Sequence, residues 1–211
     1  MNRQEIRNKA RVLIDEYGVE DRWSNDELNH IVDNVYKKVA ALFLAMDDSF
    51  YSISDTFDLE TNTELYDLPS DFLRIKSVLD ENNEPVTRLY NIAKKRDYVS
   101  GSGGVPTKYY FLGNQLGFLD IPNANFTYPY VYIHAPDPLI DDDSVPDVPE
   151  YLGHELIAHE TAQKAISLDE ETNPTLENEI KDLRRQIIEV YHRRNTDFSP
   201  QVEDDPALDE L

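Results

Sequence analysis

The sequence predicts an α+β protein in which helices near both ends of the chain flank a small antiparallel β module. Near both ends, apolar residues recur at spacings of three and four, the period of an amphipathic helix. In the middle, apolar and polar residues alternate over short runs that are separated by Pro, Gly and Asn, as in strands and turns. Residues 196–211 contain six acidic and no basic residues, which predicts an extended acidic tail that orders on a partner.

Two helices are predicted at the N-terminus. The first covers 2–17 and ends at Gly18, since glycine commonly terminates a helix. The second covers 24–46, where Ser24 precedes Glu27 by three residues in a capping-box pattern. Its apolar stripe consists of Leu28, Ile31, Val32, Val35, Tyr36, Val39, Leu42 and Phe43.

The middle of the chain has the pattern of short strands. Alternation begins at Phe50, and further strands are predicted near 65–68, 73–78 and 85–89. A short helix is predicted over 90–98, followed by a flexible Gly-rich loop. The segments 108–112 and 116–119 flank Gly-Asn-Gln, which predicts a hairpin, and 128–134 is expected to add the third strand of that sheet.

Two helices are predicted at the C-terminal end. One covers 149–168, and the other opens at Asn173 and Pro174, an N-cap followed by a proline in the first helical position. Its apolar stripe consists of Leu176, Ile180, Leu183, Ile187, Val190 and Tyr191.

The predicted organisation has five parts. They are the N-terminal helices (1–49), the antiparallel β module (50–134), a linker with four prolines and five aspartates (135–149), the C-terminal helices (150–195) and the acidic tail (196–211).

Composition restricts the chemistry. The 211 residues include 20 Lys and Arg against 42 Asp and Glu, a formal net charge of −22, and no Cys. Without Cys there are no disulfides, thiolate nucleophiles, Fe–S clusters or Cys-type zinc sites. The charge repels phosphate backbones and disfavours a protein that grips DNA. No apolar run approaches the 18 residues of a membrane span, so we expect a soluble protein with no membrane partner.

His154 and His159 form the motif most suggestive of metal chemistry. Zinc proteases place two histidines four residues apart on one helix face. Here the spacing is five, so the two imidazoles diverge unless a π-bulge shifts the register. We expect a solvated or interface helix face, and the alternative is a metal-dependent hydrolase. No other catalytic set and no cofactor is predicted.

Three further motifs have ordinary explanations. The aspartates 141–143 lack the central Gly and closing Glu of a calcium loop, so an acidic linker is expected. The glycines at 101–104 are followed by Val-Pro-Thr rather than Lys-Ser/Thr, which indicates a flexible loop rather than a phosphate site. The basic run 94–96 is the longest cation cluster, and we expect it to complement a helix C-terminus or an acidic partner. Direct contact with nucleic acid is the weaker alternative.

An ordered set of short sequence phrases resembles the head-to-tail adaptor proteins of tailed bacteriophages, also called connector or head-completion proteins. The phrases span residues 24–195, and their order matches the element order of that family. They are LYDLPSDFLRI at 65–75, PTKYY at 106–110, YVYI at 130–133, APDPL at 135–139 and PEYL at 149–152.

This resemblance implies a non-enzymatic virion protein, made in the host cytoplasm and located at the head–tail interface. Copies of the chain, usually twelve, would form a ring beneath the portal, extend the DNA channel and dock the tail nozzle or tube. DNA would pass through without sequence-specific binding. The terminal helices would pack as a helical bundle, with the last helix and the tail reaching the portal and the β module meeting the tail component.

The same resemblance suggests contact residues. Candidates for portal contact are Arg184, Arg185, Tyr191, Arg193, Arg194 and Phe198. Candidates for contact with a neighbouring copy or the tail are Gly101, Gly103, Gly104, Tyr128 and Tyr130. The main alternative is another acidic interaction or assembly protein that binds a host or phage partner.

Overall fold

A computed structural model of the chain describes residues 1–14, 23–90, 104–168 and 173–196. The chain divides into two compact units. The helical unit comprises the described residues of Met1–Asp47 and Asp137–Leu211, and the sheet unit comprises those of Asp48–Pro136. The predicted α+β class is confirmed. The helix predicted at 90–98 falls almost entirely outside the described residues, and so does nearly all of the acidic tail.

Four α-helices are described in the helical unit. They are α1 (Arg3–Leu13), α2 (Asn25–Met46), α3 (Glu155–Leu168) and α4 (Pro174–Thr196), with a π-helical turn (Glu150–His154) leading into α3. The predicted capping box of α2 is present, since the Ser24 and Glu27 side chains each bond the other's backbone N–H. Helix α1 ends at Leu13, earlier than predicted, with Ile14 as its C-cap.

Helix α3 packs against each of the other three helices, and α1 also contacts α2. Its buried face is rich in small side chains, which permit close approach between helix backbones. That face consists of Leu156, Ile157, Ala158, Thr161, Ala162 and Ala165. No described helix has the length and apolar character needed to cross a bilayer.

The sheet unit contains two sheets rather than one. The first has the order β1 (Ser52–Leu59), β7 (Phe126–His134), β3 (Phe72–Val78), with both pairs antiparallel. The second has the order β2 (Leu65–Asp67), β6 (Gln115–Leu119), β5 (Lys108–Leu112), β4 (Thr87–Arg88). The β4–β5 pair is parallel, so the predicted antiparallel module is in fact mixed.

The predicted hairpin is confirmed as β5–β6, but the prediction that 128–134 joins its sheet is wrong. Strand β7 lies between β1 and β3 in the other sheet. It pairs with β1 along its length, from Ser52 opposite Ile133 to Leu59 opposite Phe126. The alternating pattern of β7 determines which of its side chains are buried. It does not determine which strands pair with β7, because either sheet could cover the same apolar side chains.

Aromatic side chains join the two sheets of this unit. Phe57 of β1 stacks on Tyr130 of β7 with ring centroids 3.9 Å apart. Phe118 of β6 makes edge-to-face contacts with both Phe57 and Tyr128. Close packing also explains why residue 117 is a glycine, because a Cβ atom at this position would lie 2.3 Å from the Tyr110 ring. Tyr109, Tyr110, Tyr128, Tyr130 and Tyr132 are therefore core residues of this unit.

Three arginines of α1 are buried in the helical unit. Arg3, Arg7 and Arg11 are spaced four apart and therefore share one helix face. Arg7 is 3% exposed, and its guanidinium donates two parallel hydrogen bonds to Asp142, at 2.7 and 2.9 Å. Arg3 donates to Asp33 at 2.7 Å. The helical period assigns these charged residues to solvent, so sequence reasoning missed the buried face.

The remaining partners of these arginines come from α2 and the residues before it. Arg7 also donates to Asn29 Oδ1 at 2.9 Å. Arg11 donates to the Trp23 carbonyl at 2.8 Å and to Asn25 Oδ1 at 3.0 Å. The N-terminal half of α2 is thereby joined to α1 by hydrogen bonds to charged donors, which are stronger than neutral ones.

The segment 137–149 contains no helix or strand but is bound to the helices around it. The Arg3 backbone N–H donates to the Ser144 carbonyl at 2.8 Å, and the Gln4 N–H donates to the Asp142 carbonyl at 3.0 Å. The Tyr36 hydroxyl of α2 donates to the Asp137 carbonyl at 3.0 Å and accepts from the Asp147 N–H. These bonds fix the Pro- and Asp-rich stretch along α1 and α2.

Replacing Arg7 by Ala is expected to lower the free energy of unfolding of the helical unit by about 3 kcal/mol. The change removes a bidentate ion pair whose guanidinium is buried, and with it the packing of the arginine stem. Urea denaturation followed by circular dichroism measures the loss. The control is Arg185→Ala, which removes an exposed pair with Asp182 and should change stability by less than about 1 kcal/mol. Equal effects of the two variants would contradict a structural role for Arg7.

Stability should also depend on the ionisation of Asp142. The hydrogen bonds from Arg7 hold the pKa of Asp142 below its ordinary value of 3.8. A carboxyl whose folded-state pKa is lowered contributes stability above its unfolded pKa and loses it as the pH falls through the folded pKa. The stability difference between wild type and Asp142→Asn should therefore be constant above about pH 5 and shrink below pH 4. Asp143→Asn is the control, and a pH-independent difference for Asp142→Asn would refute the linkage.

Candidate interaction surfaces

Helix α4 presents one buried and one exposed face. Leu176, Ile180, Ile187 and Tyr191 are buried, in agreement with the predicted stripe. Val190, which the stripe also included, is 53% exposed. The prediction for Val190 is wrong because its neighbour Tyr191 occupies the buried position at this turn. Ile188 is exposed as well, so the outer surface of α4 carries apolar side chains among its charges.

An apolar pocket of about 390 Å³ opens beside the C-terminal half of α4. Its lining comes from α2, the turn before α3, and α4: Phe43, Pro149, Tyr151, Leu152, Gln186, Glu189, Val190 and Tyr191. Phe43 and Tyr191 meet edge to face with ring centroids 5.4 Å apart. Tyr151 lines the same pocket and is 83% exposed. A concave apolar site beside an exposed aromatic side chain is the form of many protein-binding sites.

The turn that carries Tyr151 is determined by close packing at Gly153. A Cβ atom at Gly153 would lie 2.7 Å from Val148 and 3.2 Å from Phe43. The segment before the turn is thus held tightly against α2. Sequence reasoning identified 149–152 only as the opening of a helix, and the Pro149 and Gly153 pair was the available signal for an irregular turn.

The predicted portal-contact residues lie in different environments. Arg184 donates to Glu160 Oε1 from Nη2 at 2.7 Å, and Arg185 pairs with Asp182 at 3.0 Å. Both guanidinium groups are largely exposed. Tyr191 is 7% exposed and belongs to the core. The last residues of α4 include Arg193 and Arg194, whose side chains are not described, and Phe198 lies outside the described residues.

The candidates for contact with a neighbour or the tail are mostly internal or undescribed. Gly101 and Gly103 lie outside the described residues, whereas Gly104 bridges to Pro122 and donates its N–H to the Ile121 carbonyl. Tyr128 and Tyr130 are buried in the core of the sheet unit. Their hydroxyls donate to the Pro106 carbonyl and to Asp55 Oδ2. Burial raises the pKa of Tyr128 to about 12 and also raises that of Tyr130.

The two histidines of the sequence motif have separate partners. His154 is 1% exposed, with Nε2 at 3.2 Å from the Pro146 carbonyl and Nδ1 at 2.7 Å from the Met1 nitrogen. Burial lowers the pKa of His154. His159 lies against the Glu155 carbonyl, and its Nε2 is 3.6 Å from Glu179. The expected solvated or interface face is wrong for His154, because the turn before α3 directs its ring into the subunit.

Carboxylates of the acidic segment are engaged within the fold. Asp142 binds Arg7, and Asp141 accepts a hydrogen bond from the Ser144 hydroxyl at 2.8 Å. Across the described ranges, no group of three His, Asp or Glu side chains is arranged to hold a metal ion. The basic run 94–96 lies outside those ranges.

The two faces of α4 should respond differently to truncation. Tyr191→Ala is expected to lower the free energy of unfolding by about 3 kcal/mol, because a buried aromatic ring is lost from the core. Val190→Ala removes an exposed side chain and should cost less than about 0.5 kcal/mol. Thermal and urea unfolding of both variants measure the difference. A similar small effect at both positions would show that Tyr191 is free for contact, as its candidacy for portal binding requires.

Comparison with known proteins identifies the family of the chain. The family model described as SU10 adaptor protein matches residues 1–201, which include every described residue. No curated protein sequence matches the chain. The predicted resemblance to phage head-to-tail adaptors is confirmed. The chain belongs to the SU10 adaptor protein family, a family of phage head-tail adaptors.

Proposed function

We propose that this structural adaptor assembles with copies of itself into a ring at the head–tail junction of the virion, between the portal and the tail. The ring, of twelve subunits as is usual for such adaptors, extends the DNA channel beneath the portal. The family match over residues 1–201 is the observation that carries this proposal. Ring subunits associate through heterologous contacts that close when the rotation per subunit fits.

The charge of the chain suits a channel component. With a net charge of −22, a ring of these subunits presents DNA with a repulsive wall, so the genome slides past without being held. Several of the cations are engaged inside the helical unit, as with Arg7 on Asp142 and Lys9 on Glu155. The role is structural and requires no catalytic step or cofactor.

The pocket beside α4 supports portal docking by the helical unit. Tyr151 and Val190 expose apolar area at this pocket, and a partner side chain that enters it would contact Phe43 and Tyr191. Buried aromatic contacts of this kind carry most of the binding energy at protein interfaces. Arg184 and Arg185, with Arg193 and Arg194, complement an acidic portal surface. The sheet unit is assigned to the next tail component.

Mass photometry of the full chain with portal rings tests the proposal. The expected result is a shift of the portal peak by about twelve subunit masses. A chain that stays monomeric and leaves the portal peak unchanged would overturn the ring and the docking role. Binding to a host protein with no portal contact would favour the alternative, an acidic assembly or inhibitor protein.

Tyr151→Ala combined with Val190→Asp is expected to weaken portal binding by about thirtyfold, the effect of losing one interface hot spot. Both side chains are exposed in the subunit, so the fold should persist, as circular dichroism verifies. The matched control is Tyr90→Ala, which truncates an equally exposed tyrosine of the sheet unit and should leave portal affinity unchanged. Unaltered binding by the double variant would assign portal docking to another surface.

A further inference from the structure

A groove on the helical unit is lined by lysines from three helices. Lys38 of α2, Lys164 of α3 and Lys181 of α4 all line a cavity of about 340 Å³. An adjoining cavity of about 450 Å³ shares Lys38 and Arg184 with it and adds apolar side chains, among them Leu42 and Ile188. We call these two cavities the cationic groove.

The three lysines of the groove are unpaired within the described part of the chain. None of their ammonium groups makes a hydrogen bond or an ion pair with a described residue. The carboxylates that line the groove are Glu160, which is bound to Arg184, and Glu177. The lining thus carries four positive and two negative side chains, in a protein whose net charge is −22. A local excess of cations on an acidic surface favours an acidic ligand.

The chain itself contains a segment with the complementary chemistry. Residues 197–211 carry six acidic and no basic residues. The same segment also contains apolar residues, and two of them, Phe198 and Val202, precede the acidic run Glu203-Asp204-Asp205. The lining of the cationic groove likewise combines charged and apolar side chains, since its lysines lie near Leu42 and Ile188. The segment and the groove therefore match in both charge and hydrophobicity.

The segment is long enough to reach the groove of its own chain. Helix α4 ends at Thr196, and at a rise of 1.5 Å per residue Arg184 lies roughly 18 Å and Lys181 roughly 22 Å back along the helix. Seven extended residues, from 197 to Glu203, span about 23 Å. Turning back after α4 uses about four residues, so residues 203–205 reach the level of Arg184 and Lys38, which line the same cavity. Asp209 and Glu210, farther along the segment, can reach Lys181.

We propose that the acidic segment 197–211 binds the cationic groove of the same chain in the free subunit. Residues 203–205 lie against the lysines, and the apolar residues before them cover the strip at Leu42 and Ile188. Tethering gives the segment an effective concentration on the order of millimolar. Separate copies with a charge of −22 repel each other, which disfavours insertion into a second copy. This binding is independent of the proposed ring and is testable on the isolated chain.

The absence of Cys permits a direct test by disulfide cross-linking. Ala41, an exposed residue of the groove lining next to Leu42, is changed to Cys together with Val202→Cys in the full chain. Mild oxidation at micromolar concentration should give an intrachain disulfide, detected by mass spectrometry as a cross-linked monomer. The control pair Asp26→Cys with Val202→Cys places the first thiol at the start of α2, remote from the groove, and should react at least about tenfold more slowly.

Charge reversal tests the lysines. Lys38→Glu with Lys181→Glu in the cross-linking background should slow disulfide formation about tenfold, and high salt should do the same. Lys37→Glu with Arg185→Glu makes the same net change on α2 and α4 at residues that do not line the groove, and it should leave the rate nearly unchanged. A disulfide that forms between chains would assign the groove to a second copy and overturn the proposal. Equal rates for the groove and control pairs would also overturn it.

Discussion

The fold of the helical unit depends on buried guanidinium groups that must be paired. Taking a charge out of water costs several kcal/mol unless hydrogen bonds and an opposite charge replace the lost hydration. Arg7 meets this requirement with both oxygens of Asp142 and with Asn29. Asp142 is 135 residues away in sequence, so the arginine is satisfied only when the chain has returned from the inserted sheet unit. The ion pair therefore closes a unit whose two halves are far apart in the chain.

The same pairing leaves some buried polar atoms without a partner. The Nε atoms of Arg3 and Arg7 and one carboxylate oxygen of Asp33 are buried without a hydrogen-bond partner. An apolar face on α1 would avoid these costs but would carry no directional bonds to fix its register. The guanidinium groups of Arg3, Arg7 and Arg11 instead bond Asp33, Asp142 and the Trp23 carbonyl. These directional bonds restrict how α1 can lie against α2 and segment 137–149. Segment 137–149 is then positioned along α1 and α2, and it leads directly into the turn that presents Tyr151.

Sequence reasoning succeeded where local rules decide and failed where a distant partner decides. The capping box and apolar stripe of α2 are local, and they predicted its bounds to within one residue. Local alternation also predicted which side chains of β7 are buried, but it could not predict the sheet that β7 joins. Its neighbours β1 and β3 end at Leu59 and Val78, far from Phe126 in the sequence. Hydropathy predicts that Arg7 and His154 are exposed, but both are buried. Asp142 binds Arg7, and the Pro146 carbonyl lies within hydrogen-bond distance of His154, and both partners are distant in the sequence or brought close by an irregular turn. The pocket at Tyr151 escaped prediction because it joins three elements.

The distribution of cations links this architecture to the role of an adaptor. Arg3, Arg7, Lys9 and Arg11 act inside the helical unit, where each neutralises an acidic group or binds a carbonyl. Where a cation pairs with a carboxylate the two charges cancel, so the rest of the molecule keeps its strongly acidic balance. Such an acidic surface repels DNA, as the proposed channel requires, but it also repels identical subunits. Assembly then depends on apolar contacts, such as the pocket beside α4, and on local cation clusters, of which the cationic groove is one.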